Sequence, residues 1–200
     1  GEGTLIMGIL NVTPDSFSDG GKYLNPDQAL KRAREMIDEG ADIIDIGAAS
    51  SRPDSVMVGE EEEIQRLLPI MDKLAAEDII ISIDTFRGEV ARVALENGAH
   101  IINDIGSLQL DTELLPVLVE KQAPVILMHN RMQIRHGEPY RDLIADIITE
   151  LEDAIGQAVE AGLPGDKIII DPGIGFGKTP GGNRLLLKRL GDFRSLGKPI

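Results

Sequence analysis

The chain has 200 residues, 42% of them hydrophobic, and its 34 acidic against 20 basic side chains give a formal net charge of -14. That is enough chain for one sizeable core, while the negative balance repels phosphate backbones and argues against general nucleic-acid binding. There is no Cys, which excludes disulfides and thiolate metal sites and points to the cytoplasm, and no apolar run nears the roughly 18 residues needed to span a bilayer.

The first element, Thr4 to Leu10, reads as a buried strand and runs into a long polar connection, Asn11 to Tyr23, in which Pro14, Gly20 and Gly21 break any period. Connections in α/β units usually take about two to six residues, so one this long between strand and helix marks a functional loop. A helix follows over Pro26 to Glu39, with Ala29, Ala33, Met36 and Ile37 on one face and Gly40 as its stop. Asp42 to Gly47 is the second strand. A second polar connection, 48–59, leads to a helix over Glu60 to Ala76, whose acidic start, Glu60 to Glu63, reads as a solvated first turn. The pattern repeats with strands at Ile79 to Asp84, His100 to Asp104, Pro124 to His129 and Lys167 to Asp171. The intervening helices fall at Gly88 to Asn97, Thr112 to Lys121 and Arg141 to Ala161, and another is expected at Asn183 to Leu196 before a seventh strand begins at Lys198.

Strands without alternation, each followed by an amphipathic helix, signify a parallel sheet covered by helices, so the fold class is α/β. Asn11, Asp45, Asp84, Asn103 with Asp104, His129 and Asp171 close the successive strands and would gather at one rim. An open sheet binds ligands at one switch point, whereas a TIM barrel builds its active face from every strand end, and the barrel is preferred. The chain supplies six units and the start of a seventh as a single domain over residues 1–200. A closed barrel uses eight units and typically about 250 residues, so the chain is expected to continue past Ile200.

Asp84, Asn103 and Asp171 are the leading constellation, because carboxylate and amide oxygens facing a barrel mouth can accept the parallel N–H groups of a flat heterocycle. Gly177-Lys178-Thr179 suggests a phosphate loop, but the required earlier Gly is replaced by Pro172 and the motif fails. Its glycines instead let backbone pass under a ligand, with Phe176 as an apolar wall. His129 has no partner at metal spacing, His100 reads as buried early in its strand, and His136 lies in a polar loop. All three read as structural or solvated.

Asn11-Val-Thr-Pro-Asp-Ser-Phe-Ser-Asp-Gly-Gly21 closely resembles the signature of the dihydropteroate synthase family. Asp-Ile-Ile-Asp-Ile-Gly47 with Ser-Arg-Pro after it, Ser-Ile-Asp-Thr85, Ile-Ile-Asn-Asp-Ile105, Leu-Met-His129 and Asp-Pro-Gly-Ile-Gly-Phe-Gly-Lys178 resemble that family's further blocks, in its order. The resemblance implies a pterin-binding barrel that joins a hydroxymethyl-dihydropterin pyrophosphate to p-aminobenzoate and releases pyrophosphate. It assigns Asp84, Asn103, Asp171, Met128 and Phe176 to the pterin, Asn11 to Mg²⁺ on the pyrophosphate, and Phe17, Asp19, Ser51 and Arg52 to the benzoate and the reacting centre. A homodimer is also implied.

The second loop departs from the family's usual Gly-Gly-Glu-Ser-Thr-Arg-Pro-Gly, reading Gly47-Ala-Ala-Ser-Ser-Arg-Pro-Asp54, and the family's Ser-Arg-Lys and Arg-x-His blocks do not occur within these residues. Two other readings share the pterin-edge residues. One is a methyltransferase acting on a reduced folate, for which the Asn11 loop would have no purpose. The other is a pterin-binding relative without catalysis.

Overall fold

The computed structural model describes residues 3–12, 26–48, 58–131 and 138–200. Six parallel strands follow sequence order, β1 (Met7–Asn11), β2 (Ile43–Gly47), β3 (Ile80–Asp84), β4 (Ile101–Asp104), β5 (Val125–Met128) and β6 (Ile168–Asp171). Between and after them stand α1 (Pro26–Asp38), α2 (Glu60–Leu74), α3 (Gly88–Glu96), α4 (Leu114–Lys121), α5 (Leu143–Glu160) and α6 (Pro180–Lys188). The chain divides into two compact units, Gly1–Ile102 and Asn103–Ile200.

In the first unit β1, β2 and β3 pair in parallel without a bulge, with Gly8, Ile44 and Ile81 in one row and Leu10, Ile46 and Ile83 in another. These rows face the helices, because strand side chains alternate and Leu10, Ile44, Ile46 and Ile83 are buried with Ala29, Ala33, Leu67, Ile70 and Met71. A Cβ at Gly8 would meet the Met36 sulfur at 2.7 Å, so the missing side chain lets α1 lie close on β1. The turn that ends α1 has Gly40 at φ +104°, as its C-terminal stop requires.

In the second unit β5 and β6 pair in parallel, and Ile144, Ile147 and Leu151 of α5 pack with Ile170, Leu186 and the fully buried Phe193. Asp142 caps α5 by accepting from the backbone N–H of Ile144 and of Ala145, each at 3.0 Å. The last helix differs from the span expected. Thr179 captures the Gly182 N–H at 3.1 Å and Pro180 fits the first helical position, so α6 starts early. It stops at Lys188, and the remaining span becomes a 3₁₀ helix, Leu190–Leu196, begun by an Arg189–Asp192 ion pair. Lys198 to Ile200 forms no strand, although the Pro199 carbonyl accepts from Ile170 N–H at 3.0 Å.

Candidate active site

The end of the first unit's sheet carries a polar row. Asn11, Gly47 and Asp84 are register partners on adjacent strands. A Cβ placed at Gly47 would lie 3.3 Å from Asp84 Oδ2 and 3.4 Å from Asn11 Oδ1, so the two side chains flank the space the glycine leaves. Asn11 is exposed and Asp84 half-buried, an amide and a carboxylate presented together at a strand end. One row deeper lie Ile9, Asp45 and Ser82. Asp45 is therefore not at the rim, because it sits two residues before its strand end and is buried.

Behind this row, the Glu60 to Glu63 turn is only partly solvated. Glu63 is 2% exposed and pairs with Arg87 at 2.8 Å. Burial raises its carboxyl pKa, opposed by a hydrogen bond from Thr85 and by the Arg87 charge. Helical phase was the signal for this role, since Glu63 stands on the same stripe as Leu67, Ile70, Met71 and Leu74. His100 is exposed rather than buried, and its Nδ1 accepts from the Ile81 N–H at 3.1 Å.

In the second unit Met128 and Asp171 are register partners at the ends of β5 and β6, and Asn103 is half-buried near the end of β4. Asp171 Oδ1 accepts from the Gly173 N–H at 2.7 Å, and burial holds its carboxyl above the usual range against the opposing effects of that bond and of Lys178. The turn beneath is specific to glycine. Gly173 has φ +70°, and a Cβ there would stand 1.9 Å from the His129 carbonyl oxygen. Lys178 closes the turn by donating to the carbonyls of Gly173 at 2.7 Å, Phe176 at 3.0 Å and His129 at 3.3 Å. Burial brings its pKa down to about 8. Three carbonyls match its three N–H donors, so this ammonium holds backbone and not an anion.

Asp104 and His129 do not join a rim. Asp104 turns back to accept from the backbone N–H of Gly106 at 2.7 Å and of Leu108 at 2.6 Å, and burial raises its pKa to about 6. His129 is buried and reaches Glu150 on α5, which also pairs with Arg131. Arg131 in turn contacts Asp146 at 3.2 Å and lies 4.0 Å above the Tyr140 ring. The residues Phe17, Asp19, Ser51 and Arg52 lie outside the described residues. Among the described residues no group of three His, Asp or Glu side chains is arranged to hold a metal.

The family profile described as pterin binding enzyme matches residues 7–200. The dihydropteroate synthase of Bacillus subtilis is 47% identical over 200 residues, covering 100% of this chain and 69% of its own. The chain belongs to the dihydropteroate synthase family. Within it, the Clostridium beijerinckii synthase is also 47% identical, over 201 residues covering 100% of this chain and 73% of its own. The Clostridium difficile dihydropteroate synthase, crystallised in the presence of pteroic acid, superposes with TM-score 0.93 at 44% identity and covers 100% of this chain and 75% of its own. The Yersinia pestis synthase, solved with a sulfonamide drug complex, gives TM-score 0.87 at 42% identity over 98% of this chain and 72% of its own. The α/β barrel class expected from the strand pattern is thus that of the dihydropteroate synthases.

Proposed function

We propose that this protein condenses a 6-hydroxymethyl-dihydropterin pyrophosphate with p-aminobenzoate, giving dihydropteroate and pyrophosphate. The observation that carries the reading is the row Asn11, Gly47, Asp84, which sets a neutral oxygen beside a carboxylate with only a glycine between them. Its supporting context is the identity with synthases along the whole chain. The methyltransferase alternative loses ground because these relatives are synthases and because the Asn11 loop carries their signature.

In this reading Asp84, Asn103 and Asp171 accept from the amino and ring N–H groups of the pterin, and Met128 and Phe176 wall its faces. Asp171 suits the role because Gly173 already orients one of its oxygens. Asn11 Oδ1 fits Mg²⁺, a hard ion that is bound through one or two protein oxygens plus substrate phosphates, and Mg²⁺ would neutralise charge on the departing pyrophosphate. Asp19 stabilises the positive charge that develops on the pterin methylene as the pyrophosphate leaves. Phe17, Ser51 and Arg52 hold the benzoate. The aromatic amine is neutral and a nucleophile as it stands, so no dedicated base is needed. The protein acts in the cytoplasm, in keeping with its lack of Cys, and as a homodimer like many of its family. Among the described residues no helix is long and apolar enough to cross a membrane.

The test is a product assay with the purified full-length protein, Mg²⁺ and both substrates. Dihydropteroate and stoichiometric pyrophosphate are expected. Binding of the pterin without turnover would replace the synthase with a non-catalytic binder.

A further inference from the structure

The buried carboxylate of Glu63 joins two segments that are far apart in sequence. It accepts from Thr85, the residue after Asp84, and from Arg87 Nη1 at 2.8 Å. The other terminal nitrogen of Arg87 donates to the Val58 carbonyl at 2.7 Å. Arg87 is thereby fixed in two directions, and its guanidinium is planar, so gripping both acceptors orients it. One turn along α2 from Glu63, Arg66 Nη1 donates to the Ala48 carbonyl at 3.0 Å. Ala48 and Val58 are the described ends of the second polar connection; Arg66 of α2 anchors the first, and Arg87, held by Glu63 of α2, anchors the second. Arg66 and Arg87 are mostly buried, at 17% and 12% side-chain exposure, and the Arg87–Glu63 pair is buried on both sides, so it is no ordinary surface ion pair.

We propose that Glu63, Arg87 and Arg66 are positioning residues that set both ends of the 48–59 connection against the end of β3 carrying Asp84. The inference rests on the function proposed above, in which Asp84 serves the pterin and this connection serves the benzoate. Glu63 then ties the two subsites together without touching either substrate. Breaking the tie leaves the pterin contacts in place and loosens the benzoate side, so the effect falls on one Michaelis constant.

The test uses the full-length protein and the variants Glu63→Gln, Arg87→Met, Arg87→Lys and Arg66→Met. Hydrogen exchange is followed in peptides covering residues 44–62 and 82–88, and both Michaelis constants are measured. Faster exchange in these peptides is expected in the Gln and Met variants. The KM for p-aminobenzoate should rise about 10- to 100-fold, the effect of small misplacements, while the KM for the pterin pyrophosphate moves far less. Arg87→Lys, which reaches one acceptor but not both, should recover part of the loss. Unchanged exchange overturns the proposal, as does faster exchange with both Michaelis constants rising equally or not at all. If one variant does not fold, Arg66→Met acts at the opposite anchor and decides alone. If the wild-type protein makes no dihydropteroate, the synthase reading fails while the exchange data still decide whether these residues hold the connection.

Discussion

His129 and Glu150 meet at 3.0 Å between Nε2 and Oε2, with the imidazole buried. An ionised carboxylate only accepts, so a neutral ring must carry its proton on Nε2 and donate it to Glu150. Burial, with the Lys178 charge next, lowers the His129 pKa to about 4, against which Glu150 pulls upward. Between the ordinary histidine value and that one, the unfolded chain takes up a proton that the folded chain refuses. Stability is therefore full above about pH 6.5 and falls as pH drops toward 4, by on the order of 3 kcal/mol. Denaturant unfolding at pH 7.5 and pH 4.5 checks this, and His129→Gln should flatten the slope over that window.

Gly47→Ala places a methyl between Asp84 and Asn11, at separations of 3.3 and 3.4 Å from their oxygens. Either side chain must yield by a few tenths of an ångström, at the row proposed to hold the pterin and the Mg²⁺-pyrophosphate. The expected loss is about 1 to 2 kcal/mol of pterin pyrophosphate binding, roughly tenfold, with little change in unfolding midpoint. Calorimetric titration beside thermal unfolding separates the two effects.

Gly173→Ala should act on the fold first. The new Cβ would overlap the His129 carbonyl oxygen at 1.9 Å and sit at φ +70°, and a backbone acceptor cannot move aside as a flexible side chain can. A destabilisation of about 3 kcal/mol or more is expected, seen as reduced yield and a lowered melting temperature. A wild-type melting curve would contradict the geometry of this turn.

Asp171→Asn should weaken pterin pyrophosphate binding by about 1.5 to 3 kcal/mol, the worth of a hydrogen bond involving a charge. Asp19→Asn should lower kcat with a smaller effect on binding, because its proposed partner is charge that appears only as the pyrophosphate departs. Titration calorimetry on both variants measures the difference. Equal and small losses would remove Asp171 from the pterin edge.

The strand order was legible because each strand is a short apolar run with a polar residue within it, at its end or just after it, and Asn11, Asp84 and Asp171 end theirs as expected. Depth was harder to read. Asp45 looks like a strand-end acid in sequence, yet a shift of two residues keeps it on the same face while moving it out of the rim. Asp104 and His129 leave the rim for another reason. Asp104 satisfies the amides of its own turn, and His129 finds a carboxylate 21 positions away on α5, a pairing that no local pattern reveals. In the acidic run before Ile64 composition says solvent, and only the phase of the apolar stripe distinguishes Glu63 from its neighbours. The glycines at 47 and 173 were visible as letters, but what each makes room for is set by groups distant in sequence, Asp84 and Asn11 at one and the His129 carbonyl at the other.

The three carbonyls around Lys178 form the kind of oxygen cage in which other proteins trap a potassium ion. Here the cation is tethered to the very turn it organises, so filling the cage requires no ion from solution and its occupancy does not vary with the surrounding salt. The turn that orients Asp171 is therefore insulated from the ionic composition of its surroundings. A change in salt leaves this support for the Asp171 carboxylate in place.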